Sequence, residues 1–86
     1  MSASIPVDQE LDARGLLCPM PVLSVARAIK RLRRGQVIAI SATDRGSCRD
    51  IPAWAEQTGH RLLRQTEADG VFTFYVEKAG WDDEDE

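Results

Sequence analysis

The chain has 86 residues, with 11 Lys and Arg against 14 Asp and Glu and 43% hydrophobic residues, which predicts a single domain with a small core and no room for a second one. Its longest apolar runs, such as Val37 to Ile40, fall far short of the roughly 18 residues a membrane span needs, and 2 Cys with 1 His make neither a disulfide scaffold nor a zinc module. The formal charge of −3 conceals a division: Asp82, Asp83, Glu84, Asp85 and Glu86 form an acidic block, while residues 1–81 carry 11 bases and 9 acids.

Residues 1–9 mix Ser, Pro and polar groups and read as a flexible leader, residues 10–80 as the domain, and residues 81–86 as a disordered acidic tail, because a block of like charges repels itself and stays solvated. The tail is either a solubiliser or a handle for a basic partner. With no basic, apolar targeting stretch and with thiols that need a reducing compartment, the chain is expected in the cytoplasm, as a monomer.

The first element is "ELDARG", whose alternation puts Leu11 and Ala13 on one face of a short strand ended by Gly15. From Pro21 the apolar residues Val22, Val25, Ala26, Ile29 and Leu32 recur at spacings of three and four, predicting an amphipathic helix stopped by Gly35. Lys30, Arg31, Arg33 and Arg34 would then occupy its last turn, where cations complement the negative helix end; the alternative role of this cluster is a partner-binding patch. "QVIAISATD" follows as a strand covered or nearly covered on both faces. A second helix carries Ile51, Trp54, Ala55 and Thr58 on one stripe and ends at Gly59. Its N-cap is Ser47 or Asp50, with Pro52 favouring a start near Asp50 because proline is tolerated in the first turn. "HRLLRQTEADGVFTFYVEK" reads as a hairpin turning at "EADG", with Phe72, Phe74 and Val76 toward the core. The predicted fold is an α/β two-layer sandwich in the order β-α-β-α-β-β: a mixed four-stranded sheet with both helices on one face.

This order carries a consequence for the thiols. Loops that follow parallel strands emerge at one sheet edge, where open α/β sheets place their sites. Cys18 lies in the first such loop and Cys48 in the second. In "LLCPMPV", Pro19 and Pro21 suit a helix start, since the first-turn N–H groups have no intrahelical acceptor and proline loses nothing there. The residue before a proline is pushed out of the α region, so Cys18 is expected as an extended, cap-like residue at the helix entrance. A thiol there feels the positive helix end, which predicts a lowered pKa and a reactive thiolate; the competing reading is a small buried hydrophobe. Cys48 is either a resolving thiol or an incidental small residue. His60, after Gly59, reads as a surface or helix-terminus residue, and "TDRGS" lacks the lysine of a phosphate-binding loop. No metal site is expected.

At these residues the chain resembles a known family. "LDARGLLCPMPV", "ATDRGSCRDIPAWAEQTGHRLL" and "VFTFYVEKAG" are similar to the TusA/SirA-like sulfur carriers over about Leu11 to Gly80. The most specific element is Cys-Pro-x-Pro at Cys18 to Pro21, preceded by Asp12 and Gly15; Asp50-Ile-Pro52 downstream of Asp44 adds to it. The resemblance implies the same β-α-β-α-β-β sandwich and makes Cys18 the sulfur-bearing, catalytic residue of a sulfurtransferase that needs no cofactor. It implies that a donor such as a cysteine desulfurase or a rhodanese loads Cys18 as a persulfide, and that an acceptor protein in tRNA thiolation, sulfur oxidation or cofactor assembly receives the sulfur. Asp12, Gly15, Pro19 and Pro21 would support the helix start, and Arg27, Lys30, Asp44, Arg45, Arg49 and Asp50 would surround the thiol as a docking surface. Two other functions stand beside this one. The first is a redox switch through a reversible Cys18–Cys48 disulfide. The second is a non-catalytic interaction module using the basic helix face, for which direct nucleic-acid binding is not expected from so modest a positive charge.

Overall fold

A computed structural model describes residues 5–80; the expected acidic tail and residues 1–4 of the expected leader lie outside the described residues. The elements are β1 (Gln9–Ala13), α1 (Met20–Ile29), β2 (Val37–Ala42), α2 (Ser47–Thr58), β3 (Arg61–Ala68) and β4 (Val71–Glu77). They form the anticipated mixed four-stranded sheet, in the spatial order β1-β2-β4-β3. β1 and β2 are parallel and the other neighbours antiparallel. The sheet begins inside the expected leader: the Asp8 backbone N–H donates to Val37 O, and the Val37 N–H donates to the Asp8 carboxylate, both at 2.8 Å.

The alternation of each strand sets one apolar face. Leu11 stands beside Ile40, Ala13 beside Ala42, Ile38 beside Val76, Ile40 beside Phe74 and Ala42 beside Phe72. Val25, Ala28 and Ile29 of α1 and Ile51 of α2 close over that face, and all four are buried. Fully burying a side chain such as Ile40 or Phe74 contributes about 1.5–3 kcal/mol, so this single layer is the main stabilising contact of so small a domain. Val37 and Ala39, on the face without helices, are also buried, which accounts for the unbroken apolar run of β2. The β3–β4 turn places Asp69 at φ 54° and Gly70 at φ 78°, the left-handed pair that a two-residue hairpin turn requires.

Three sequence expectations about the helices need correction. α1 stops at Ile29, not at Gly35: Lys30, Arg31 and Leu32 donate to carbonyls three residues back, a tightening into 3₁₀-type turns. Of the basic residues, only Arg27 lies in its last turn. The N-cap of α1 is Pro19, so Cys18 precedes the helix by one residue more than expected. The N-cap of α2 is Gly46, and neither Ser47 nor Asp50 caps it; the buried Ser47 hydroxyl has no hydrogen-bond partner among the described residues. Pro52 consequently falls inside α2, where it denies the Cys48 carbonyl its usual i+4 donor. The early start is held by Asp50 and Arg49 both donating to Gly46 O.

The carbonyls left at the end of α1 have a partner that the pattern did not reveal. Lys78, directly after β4, is buried, and its ammonium donates to Leu32 O at 2.7 Å and to Lys30 O at 3.5 Å. A cation at a helix C-terminus opposes the negative end of the dipole, and here it also ties the last strand to the first helix. His60 is buried too, correcting the surface assignment. Its Nδ1 accepts from the Ala79 and Gly80 backbone at 3.1 and 2.9 Å, and its ring lies 5.3 Å from Trp54. Replacing Lys78 by Ala removes a charged hydrogen bond to buried carbonyls and should destabilise the domain by about 1.5–3 kcal/mol. Urea unfolding would show this as a lowered midpoint at unchanged slope.

Candidate functional site

The parallel pairing of β1 with β2 brings the loops that follow them together, and two side chains of the second loop fasten the first. Thr43 accepts the Gly15 backbone N–H on Oγ1 at 2.9 Å. Asp44 accepts the Cys18 backbone N–H on Oδ2 at 2.8 Å. Gly15 holds φ 84°, a left-handed conformation that ends β1 sharply at the cost of any other residue type. Pro21 sits in the first turn of α1, as predicted, whereas Pro19 takes the N-cap position expected of Cys18, and Cys18 precedes it across a cis peptide bond.

The thiol points at the start of α2. Cys18 Sγ donates to Asp50 Oδ2 at 2.6 Å. A Cβ on Gly46 would stand 3.3 Å from Cys18 Cβ, 3.6 Å from Sγ and 3.1 Å from the Asp44 carboxylate, so this glycine leaves the room in which the sulfur sits. Cys18 is exposed and carries no disulfide.

The electrostatics overturn the expected acidity. The hydrogen bond to the Asp50 carboxylate, with the charges of Asp50 and Asp44 beside it, pushes the Cys18 thiol pKa above its ordinary value, and Arg49 only partly opposes them. A helix N-terminus favours an anion, but Cys18 stands ahead of the Pro19 N-cap and its sulfur is bonded to the Asp50 carboxylate. Arg49 Nε is 3.8 Å from Asp50 Oδ1 and its side chain is 87% exposed, which makes it a screened, weak counter-charge.

The remaining candidate residues are dispersed. Arg45 lies over the Phe72 ring, 5.8 Å from its centroid. Arg27 is eight residues along α1 from Pro19, about 12 Å at 1.5 Å per residue, and Lys30 lies at its far end, so neither is brought to the thiol. Asp12 is bound by Arg14, whose Nε and Nη2 donate to its two oxygens at 2.9 and 3.0 Å and whose backbone N–H donates to Oδ1 at 3.0 Å. That pairing holds the Asp12 pKa down at about 2. Cys48 packs against the hydrophobic core. Among the described residues no group of His, Cys, Asp and Glu is arranged to hold a metal ion, and no helix is long and apolar enough to cross a membrane.

Around the thiol the surface is apolar. Leu17 is 72% exposed, Met20 42% and Leu23 45%. Beside them a groove between α1 and α2 is lined by Pro19, Val22, Ala26, Ala53 and Trp54. Thr43, Gly46 and the apolar rim were not singled out in the sequence. Only the nearness of Thr43 to Asp44 hinted at it, and nothing in a string of letters reports that Gly46 faces a sulfur 28 residues earlier.

The sequence matches the family model described as Sulfurtransferase TusA over residues 9–78. The chain belongs to the TusA family. Among its relatives, a protein of Allochromatium vinosum named sulfur carrier protein TusA is 44% identical over 84% of this chain and 95% of that protein. Another of the same name, from Pseudomonas syringae, is 36% identical over 87% of this chain and 89% of its own. The crystal structure of the SirA-like protein from Desulfitobacterium hafniense superposes with a TM-score of 0.74 at 28% identity, covering 85% of this chain and 99% of that one. The β-α-β-α-β-β sandwich is thus the fold of the family.

The Asp12–Arg14 pair offers a check on the electrostatics of this edge that is independent of the thiol. In a carboxyl-detected NMR titration Asp12 should show its midpoint at about 2. In Arg14→Ala the midpoint should rise toward the ordinary aspartate value of about 3.9 without reaching it, because the backbone N–H of residue 14 still donates to Asp12 Oδ1.

Proposed function

We propose that this chain is a sulfur carrier in which Cys18 takes a sulfur atom as a persulfide from a donor protein and relays it to an acceptor protein. The observation that carries this reading is the placement of Cys18: an exposed, unbridged thiol held at the sheet edge by Asp44, in a member of the TusA family. Relatives that bear the name sulfur carrier protein support it.

The chemistry is thiol attack on a sulfur–sulfur bond. The Cys18 thiolate attacks the terminal sulfur of the donor persulfide, a new S–S bond forms on Cys18, the donor S–S bond breaks, and the donor cysteine leaves as a thiolate. The sulfur moves without net oxidation, and the proton released by Cys18 ends on the departing thiolate or in water. Delivery repeats the step in reverse sense, with the acceptor's thiolate attacking the outer sulfur of loaded Cys18. Such a reaction needs an accessible sulfur and brief docking in place of a deep pocket. The apolar rim of Leu17, Met20 and Leu23 provides surface for that docking. A thiol that must be reduced before it is loaded fits a reducing compartment such as the cytoplasm. Donors of the cysteine desulfurase or rhodanese type and acceptors in tRNA thiolation, sulfur oxidation or cofactor assembly fit the chemistry equally.

Incubating the chain with a cysteine desulfurase and cysteine, without reductant, should add one sulfur atom by intact mass. Cys18→Ser should abolish the gain and Cys48→Ser should keep it; loading of Cys18→Ser would overturn the assignment. Because only the thiolate attacks and the neighbouring carboxylates hold its proton, the initial loading rate by a fixed donor should keep rising with pH beyond the ordinary thiol range of about 8.5.

A further inference from the structure

The charges around Cys18 say more than that the thiol is restrained. A carboxylate at neutral pH is an acceptor only, so a sulfur 2.6 Å from Asp50 Oδ2 must bring the proton between them. A second carboxylate, Asp44, holds the Cys18 backbone from the neighbouring loop. Among the described residues the cation that acts on this group is Arg49, whose side chain extends into solvent. Of the other basic residues proposed around the thiol or near it in the chain, Arg14 lies on Asp12, Arg45 over Phe72, and Arg27 and Lys30 along α1. An approaching sulfur therefore meets two negative groups close by and one solvent-exposed positive group.

We infer that Asp50, assisted by Asp44, makes Cys18 selective for partners that carry positive charge beside their reactive sulfur. A cation brought to Asp50 offsets the charge that retains the thiol proton and frees the thiolate when the partner's sulfur is in place. An anionic sulfur compound is repelled at the same point. The partner surface that fits has a lysine or arginine next to its cysteine, and Asp50 acts as a specificity-determining residue that touches the reacting sulfur. The direction of the thiol's acidity shift agrees, with Asp50 its largest cause. This inference rests on the sulfur-carrier reading for its biological meaning, but the charge preference itself is a property of the thiol and is measurable without any protein partner.

The test uses three symmetrical disulfides on the intact chain at low salt: cystamine with two ammonium groups, 2-hydroxyethyl disulfide with none, and 3,3′-dithiodipropionate with two carboxylates. Each reacts by exchange. The Cys18 thiolate attacks one sulfur, half of the reagent becomes bonded to Cys18, and the other half leaves as a thiolate that takes up the proton. Rates are read as the mass increase on the Cys18 peptide and normalised to the chain unfolded in urea. Taking the ratio of cationic to anionic reagent cancels the fraction of thiolate, so a change in acidity alone, or a loosening of structure alone, leaves it unmoved.

The folded chain should favour cystamine over dithiodipropionate by about tenfold relative to the unfolded chain, the size expected for two opposite unit charges a few ångströms away near a wet surface. Asp50→Asn should cut the preference several-fold, Asp50→Glu should restore most of it, Arg49→Ala should raise it, and added salt should weaken it. Should Asp50→Asn prove unstable, Asp44→Asn should lower the same ratio to a smaller extent. A folded ratio equal to the unfolded one, or one that Asp50→Asn and Asp44→Asn both leave intact, overturns the inference. Failure of the desulfurase to load wild-type Cys18 would instead strike the sulfur-carrier reading, and would leave the disulfide ratio standing.

Discussion

The parallel pairing of β1 with β2 is the contact on which everything else in this molecule depends. Leu11 beside Ile40 and Ala13 beside Ala42 fix the two strands in register on the core face. A slip of the edge strand β1 by one residue would turn Leu11 and Ala13 away from the helices and carry its loop off the edge. With the register set, the two loops beyond the strands have one edge to share. Thr43 and Asp44 then reach Gly15 and Cys18 across that edge. The geometry of the thiol is thus a by-product of hydrophobic alignment some distance below it.

The helices complete the arrangement through their ends more than through their lengths. α1 begins at two prolines, which place Cys18 ahead of its first turn, and finishes in carbonyls held by Lys78. α2 begins at Gly46, where the absence of a side chain admits the sulfur, and presents Asp50 one turn later. Acidity that a helix N-terminus would raise is instead lowered by the carboxylate carried on the neighbouring helix. In the charge-selective role inferred for Asp50, those opposing influences keep the thiol quiet until a suitable surface arrives.

Much of this fold was legible in the letters because it rests on local periodicity. The alternation of Leu11 and Ala13 and of Phe72, Phe74 and Val76, the three-and-four spacing from Val22 to Ile29, and the Asp69-Gly70 turn each report a backbone state through neighbours a few positions away. Cys18 was legible as a candidate for the same reason, since the prolines that frame it are adjacent. The acidity of its thiol was not. The helix dipole is a local cause that the letters suggest, whereas Asp50 acts from 32 residues away and enters only once the sheet has formed. Lys78 and His60 escaped for a related reason: both are polar letters at element ends, where exposure is the ordinary expectation, and both are buried because a distant backbone needed a partner. The helix boundaries differ from those that Gly35 and Pro52 suggest, because α1 tightens before Gly35 and α2 starts ahead of Asp50.

The bonds from Cys18 to Asp44 and Asp50 span 26 and 32 residues of chain. While the protein is being synthesised, the cysteine is made long before either carboxylate has a strand to bring it near, and over that interval its sulfur has the acidity of any free cysteine. Completing the parallel pair changes that chemistry. The reactivity of this one sulfur is therefore a signature of the finished molecule, and a chain that has lost its register differs from the native one in how its thiol behaves as well as in shape.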